Sequence, residues 1–507
     1  MDPVVGTQTS EPDMLDIIRA HAFDLNVERV LEHWTPAHAV REVIANALDE
    51  AALTGTAEPT ISRDEVGRWH VRDFGRGLRY EHLTQNEDRE KLAHPELVIG
   101  KFGIGLKDAL AVFDRRRVTV VLRSRQSDMT IAPLPKHGFE DLVTLHVIVS
   151  PPSEPGMAGT EVILEGLKDT DVDEAKALFL RYAGDEILEE TANGAVIART
   201  KGKPARIYVN GLLVATEDEF LFSYNVTSMS AALRRALNRE RQNVGRTAYT
   251  DRVKAILLAA TSKAVADALA RDLAKYEAGT NHDETSWTDV ALHACRILNA
   301  NEKVLFATSM QLMYARALID QARRDGYRVV TVPENLANRL PKAVDLAGAP
   351  IVDLGVFREH YLDSFQYRFV EEPDLTPAER SLFARTNEII RLQGRRPEVL
   401  KNVRISETMR INDEGTGATV GSWDADTRSI VIRRDQLKKV STYAGTLLHE
   451  LTHARTATDD VSREFEEALT RTLGTVADQA LAGNPEHRSR QSREKRPKPR
   501  QRNVGMK

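Results

Sequence analysis

The chain has 507 residues, 41% hydrophobic and 29% charged, with a formal net charge of −5. Those proportions describe a soluble globular protein of roughly three or four domains, each able to bury a core of its own. No run of eighteen apolar residues occurs and the first sixteen residues lack a signal pattern, so no membrane association is expected; the lone cysteine, Cys295, excludes an intramolecular disulfide and points to a cytoplasmic location and a core role.

In chain order, the first predicted element is a helix over 41–51. Val43, Ala47 and Leu48 face inward, while Glu42 and Asn46 share another face at four-residue spacing. A carboxylate there can orient a water toward a terminal phosphate, and a side-chain amide oxygen is a hard ligand suited to Mg2+. Residues 71–78 read as a strand running into a glycine turn, with Asp73 placed to accept a hydrogen bond from an adenine amino group and Gly75 and Gly77 allowing close backbone approach. The polar stretch 79–99, with His94-Pro95, is expected to form a mobile lid over a nucleotide. At 100–110 a glycine-rich turn precedes an apolar helix whose N–H groups would cradle phosphates, with Lys107 as an added cation. Gly159-Thr160 then opens an apolar strand, and the absence of any G-x-x-x-x-G-K-[ST] run excludes a P-loop.

In this order and spacing, the segments resemble the GHKL superfamily of ATPases shared by gyrase, heat-shock chaperones, histidine kinases and MutL. The resemblance implies an α/β sandwich of helices on a mixed, largely antiparallel sheet over 1–185, with ATP and Mg2+ as cofactors. It implies Glu42 as general base, Asn46 as Mg2+ ligand, Asp73 as adenine reader, Gly75, Gly77, Gly103 and Gly105 as loop glycines, and Thr160 as support for the Asp73 water network. Asp49, Lys101, Phe102 and Lys107 complete the implied nucleotide set, Lys107 being similar to the MORC-type members. Histidine kinases generally lack a glutamate at the place of Glu42, so hydrolysis rather than phosphotransfer is implied, together with homodimerisation.

Residues 206–215 read as two strands around an Asn210-Gly211 turn, followed by the polar run 238–246 and a helix from about Thr250 to Lys275. The resemblance implies a transducer domain over 200–285 that delivers a cation to the phosphate; Arg239 is the first candidate, with Arg241 and Arg246 as alternatives. Within 286–370, a strand at 304–308, a helix at 310–324 and a strand at 327–332 suggest a strand–helix–strand connector or recognition domain, with Ser309 and Gln311 at a turn where ligands often bind.

Residues 371–483 carry the second chemistry. Residues 428–434 read as a strand, and 446–454 as a helix on which Leu447, Leu448 and Leu451 bury one side. His449 and His453 lie four apart, so both imidazoles can reach one zinc ion, with Glu450 beside them as a base toward water. Ser462 or Asp460 could cap a following helix whose carboxylates return to the metal. The segment resembles the zincin metallopeptidases, whose third ligand is a glutamate on that following helix and whose edge strand holds the peptide by backbone pairing. This implies Zn2+ held by His449, His453 and Glu466, with Glu464 and Glu467 as alternatives. From 487 to 507 there are nine Lys or Arg and one Glu, making 484–507 a disordered basic tail open to nucleic acid.

The sequence therefore predicts an α+β multidomain ATPase whose nucleotide cycle gates a zinc peptidase acting on a protein or peptide, an architecture suggestive of prokaryotic stress response or phage defence. A chaperone or DNA-clamp ATPase in which the zincin-like domain only binds a partner is the rival reading. A nucleotide sensor without turnover is the third.

Overall fold

The computed structural model describes residues 22–27, 32–85, 89–94, 98–100, 105–137, 139–237, 244–412 and 414–482. Lys101, Phe102 and Gly103, the candidate cations Arg239 and Arg241, and the basic tail lie outside the described residues. The chain divides into two units, Met1–Asn301 and Glu302–Lys507. Together they make a multidomain α+β protein. No helix among the described residues is long and apolar enough to cross a membrane.

The first unit opens on a seven-stranded sheet of β1 (Ala22–Asp24), β2 (Thr60–Arg63), β3 (Trp69–Arg72), β4 (Thr119–Ser124), β5 (Asp128–Lys136), β6 (Phe139–Ser150) and β7 (Thr160–Glu165). Their order is β1-β6-β5-β4-β7-β3-β2, and every neighbouring pair is antiparallel. Val120 and Leu122, and Val162 and Leu164, alternate onto one buried face. That face shares a core with α1 (Pro36–Thr54), α3 (Gly105–Arg115) and α4 (Asp169–Ala177), while a short helix, α2 (Arg89–Ala93), lies between α1 and α3 in sequence. Pro36 starts α1 with its φ preset, and Gly55 ends it in the left-handed conformation (φ 63). Along α1 even Arg41, Glu42 and Asp49 are buried, so each of these charges needs a partner inside the protein.

A five-stranded sheet follows: β8 (Ile187–Thr191), β9 (Gly194–Ile197), β10 (Ala205–Val209), β11 (Leu212–Glu217) and β12 (Ser223–Val226), in the order β11-β10-β12-β9-β8. The β10–β11 hairpin closes on Asn210 (φ 47) and Gly211 (φ 79), the left-handed pair that a two-residue turn requires. The helix expected over 250–275 is broken into α5 (Thr250–Ala259) and α6 (Lys263–Leu273), because Ser262 accepts from the Ala264 N–H and starts a new helix. Helix α7 (Thr288–Asn301) packs on α6 and ends the first unit, and its Cys295 is buried, with burial pushing the thiol up to about 12.

In the second unit, parallel strands β13 (Val304–Ala307) and β14 (Arg328–Thr331) flank a short helix at Ser309–Tyr314 and then α8 (Arg316–Arg324), so the single helix expected over 310–324 is broken at Ala315 (φ −100, ψ 39). Gln311 is spent on a capping box with Thr308 rather than offered to a ligand. Helix α9 (Leu354–Ser364) covers β13. A four-stranded sheet of β15 (Phe369–Val370), β16 (Asn402–Ser406), β17 (Gly421–Asp424) and β18 (Ser429–Arg433) runs β15-β16-β18-β17. Its core face meets α10 (Thr386–Leu392) and α11 (Val440–Thr456), and α12 (Arg463–Ala482) packs on α11. The strand expected at 428–434 is thus an interior one, paired on both sides; the edge beside α11 belongs to β17.

Candidate functional site

In the first unit, α1, the turn after β3, α2 and the start of β7 enclose a cavity of about 830 Å³, within the range of small-molecule sites. Asn46, Asp73, Arg76, Gly77, Lys91 and Thr160 are among the residues that line it. Asp73 is buried, and its Oδ1 accepts from the N–H groups of Gly75 (2.9 Å) and Thr160 (3.2 Å). Burial raises its carboxyl above the ordinary aspartate value. Thr160 Oγ1 in turn accepts from the Leu78 N–H (2.9 Å), so Asp73, Thr160 and the glycine turn form one hydrogen-bonded unit. Gly159 (φ 79) is obligatory beneath it, because a Cβ there would stand 2.0 Å from the Asp73 carbonyl oxygen.

Along α1 the structure assembles the polar face seen in the sequence. Arg41 donates to Glu42 Oε1 from Nε (3.0 Å) and Nη2 (2.6 Å), and both side chains are buried. The other oxygen, Glu42 Oε2, lies only 2.2 Å from where a Cβ on Gly105 would be, at the N-terminus of α3. Asn46 Nδ2 donates to the Glu42 carbonyl (2.8 Å), which turns Oδ1 toward Lys91 Nζ at 2.9 Å. The same ammonium lies 2.8 Å from Asp49 Oδ2, and Asp49 also accepts from the Ile99 and Gly100 N–H groups. Lys91 has no signature in the sequence, where it is one more charge in a polar stretch. The only clue was Asp49 on a helix buried nearly all round. Arg76 clamps Glu50 (Nε–Oε1 2.9 Å, Nη2–Oε2 2.9 Å) and reaches Glu90 on α2 (2.7 Å). Burial pushes the Glu50 carboxyl up, but the Arg76 hydrogen bonds outweigh it and hold it below its ordinary value. Lys107 is buried on α3 and does not line the cavity. The alternative cation Arg246 is taken up by Asp283 and Glu217 and stacks on Phe220 (4.7 Å).

In the second unit, Tyr443, Leu447 and Leu451 anchor α11 in the core and leave His449 and His453 on the opposite side, with Leu448 only partly buried. The helix ends with Ala457 in the left-handed conformation (φ 51), which brings the Thr458 carbonyl to His453 Nδ1 at 2.7 Å. A carbonyl only accepts, so Nδ1 carries the proton and Nε2 of a neutral ring keeps its lone pair. That Nε2 lies 2.9 Å from Asp460 Oδ1 and 3.3 Å from His449 Nε2, and His449 Nε2 lies 2.8 Å from the same carboxylate oxygen. One proton can satisfy one pair of these atoms; a single divalent cation satisfies all three. Two imidazole nitrogens and a carboxylate oxygen within 4.8 Å of one another fit Zn2+. The Thr458 carbonyl is the outer partner that orients such a ligand.

The carboxylate at this center is Asp460 and not Glu466. Ser462 takes the cap of α12, its Oγ accepting from the Phe465 N–H (3.2 Å), and Asp460 is left to turn toward the imidazoles. Phe465, one residue before Glu466, is buried and stacks on His453 (4.1 Å between centroids, 12° between planes). Glu464, Glu466 and Glu467 are exposed on its flanks, and Glu467 pairs with Arg463. Glu450 is buried, and burial raises its carboxyl to about 7 against the lowering effects of His453 and the Trp423 N–H. Gly421 of β17 lies directly over it: a Cβ there would approach Glu450 Oε1 to 2.7 Å and Thr446 Cγ2 to 2.5 Å.

Comparison with known proteins places the chain beside two from Mycoplasma pneumoniae. An uncharacterized protein of that organism is 35% identical over 244 residues, 47% of this chain and 98% of the relative. The chain belongs to that protein's family. A second uncharacterized protein of the same organism is 28% identical over 346 residues, 64% of this chain and 96% of its own length. Residues 170–263 match the family model described as the Mycoplasma pneumoniae MPN635 N-terminal domain. In this family member the matched segment takes in the whole five-stranded sheet, the β10–β11 turn and α5.

Proposed function

We propose that the protein is a GHKL-type ATP-binding and ATP-hydrolysing enzyme whose nucleotide cycle gates a zinc-dependent peptidase. The observation that carries the peptidase half is the convergence of His449 Nε2, His453 Nε2 and Asp460 Oδ1 beside the buried Glu450. A Zn2+ ion bound there would supply Lewis-acid activation. Glu450, with a carboxyl near neutrality, is suited to take a proton from water and return it to a leaving amine. The outer side of β17, next to α11, is suited to hold an extended peptide by backbone pairing.

The nucleotide half is supported by the cavity and the groups around it. Asp73 would receive the adenine amino group, Asn46 Oδ1 would serve as the oxygen ligand of Mg2+, and Glu42, held by Arg41, would orient the attacking water at the N-terminus of α3. Two variants of the full chain test the halves separately. Glu450→Gln is expected to retain zinc and lose peptide cleavage, and Glu42→Ala to retain ATP binding and lose phosphate release. Undiminished cleavage by the first variant would sink the peptidase reading, and full turnover by the second the hydrolytic one.

A further inference from the structure

The residue that stands out beyond these roles is Lys91. Its ammonium lies between Asn46 Oδ1 (2.9 Å) and Asp49 Oδ2 (2.8 Å), with its side chain only 10% exposed and that of Asp49 only 1%. An amide oxygen beside a carboxylate oxygen is the hard donor pair that a divalent cation takes. We propose that Lys91 is an internal stand-in for the nucleotide's divalent cation, so that the site selects metal-bound over metal-free ATP and couples metal arrival to release of α2. This inference rests on the reading of Asn46 as the Mg2+ ligand.

The physical argument is exclusion. Two cations cannot share Asn46 Oδ1 at contact distance, because with the lysine side chain only 10% exposed their repulsion is weakly screened. Mg2+ arriving with ATP therefore displaces the ammonium. ATP without metal brings nothing that replaces Lys91 at Asn46, and the lysine stays. Asn46 cannot swing away to accommodate both, because its Nδ2 is tied to the Glu42 carbonyl (2.8 Å).

Displacement has consequences along the chain. Lys91 and the Glu90–Arg76 pair (2.7 Å) hold α2 against the cavity from adjacent positions. Asp49 also holds the N–H groups of Ile99 and Gly100, and the neighbouring Val98 carbonyl accepts from Asn210 Nδ2 (2.9 Å) in the β10–β11 turn. Loss of the lysine leaves without that cation the carboxylate that anchors this path to the five-stranded sheet.

The test uses the full chain, with ATP titrated calorimetrically across a range of Mg2+ concentrations and amide hydrogen exchange read at 89–94 and 98–100. In the wild type, ATP with Mg2+ is expected to accelerate exchange at 89–94, and ATP with chelator to leave it unchanged. Lys91→Gln keeps a donor for Asn46 and removes the charge, and is expected to lower the Mg2+ midpoint for ATP binding about tenfold. Lys91→Arg keeps the charge and is expected to hold the wild-type midpoint to within about twofold. Equal midpoints in wild type and Lys91→Gln overturn the proposal, as does unchanged exchange at 89–94 in wild type with Mg2+ and ATP, a result that stands even if a variant fails to fold. Failure of the wild type to bind ATP under any condition overturns the nucleotide reading itself. A Mg2+ dependence unaltered in Asn46→Ala overturns only the assignment of the metal ligand, and the stand-in role with it.

Discussion

Asp460 reaches the two imidazoles because Ala457 turns the chain left-handed immediately after α11 and Ser462 takes over the cap of α12. A carboxylate contributed by the connecting loop sits on the same side as His449 and His453, whereas Glu466 lies on the flank of a helix whose inward position is filled by Phe465. Asp460→Asn is therefore expected to weaken zinc binding at least about tenfold, with Glu466→Gln close to wild type. Equilibrium dialysis against a zinc buffer measures both, and the reverse ranking would restore the glutamate as ligand. Beneath the turn held by Asp73, Gly159→Ala places a Cβ 2.0 Å from a backbone oxygen at a residue with φ 79. The clash is with main chain, which cannot rotate away, so the substitution is expected to destabilise the first unit by at least about 2 kcal/mol in a urea melt.

At the level of elements, the Phe465 ring joins α12 to the histidine face of α11. Phe465 is 2% exposed and contacts both histidines face-on or edge-on. Phe465→Ala should remove about 3 kcal/mol from the unfolding free energy of the second unit and loosen the metal site, readable as a lower urea midpoint and weaker zinc retention. The segment between β18 and α11 is tied differently, through Arg434. Its guanidinium donates to both oxygens of Glu379 (3.0 Å each) and to Glu407 (2.6 Å), and it holds the Glu379 carboxyl at about 2, below an ordinary value of 4.5. A depressed folded-state value stabilises fully above the unfolded value and is lost as pH falls through the folded one. The gap in melting temperature between wild type and Glu379→Gln is accordingly expected to be constant above roughly pH 5.5 and to close between about pH 4.5 and 2. A gap that persists to the acid end would show that it does not come from the Glu379–Arg434 ion pair.

For the whole molecule, the division at Asn301 and Glu302 separates two sets of cores. One lies under the seven-stranded and five-stranded sheets, the other under β13–β14 and the four-stranded sheet. Chains of 1–301 and 302–507 are each expected to unfold cooperatively when made alone, since no core cluster crosses the division among the described residues. Calorimetry of the two pieces and of the intact chain checks this, and loss of cooperative melting in either piece would refute it. The division after Asn301 lies sixteen residues beyond the transducer-to-connector boundary expected at 285, because α7 packs on α6.

Local chemistry was readable from the residues in order. Four-residue spacing put Glu42 with Asn46 and His449 with His453 on common helix faces, and Asn210-Gly211 marked a hairpin, since these patterns depend on helix pitch and turn sterics alone. The partners of those groups came from distant segments and had no local mark. Lys91 meets Asn46 across 45 residues because a buried carboxylate demands a cation, β17 and not β18 takes the sheet edge because pairing order is a property of the assembled sheet, and Asp460 supplants Glu466 because a cap and a buried ring orient α12. Periodicity assigns a residue to a face; packing chooses what that face meets.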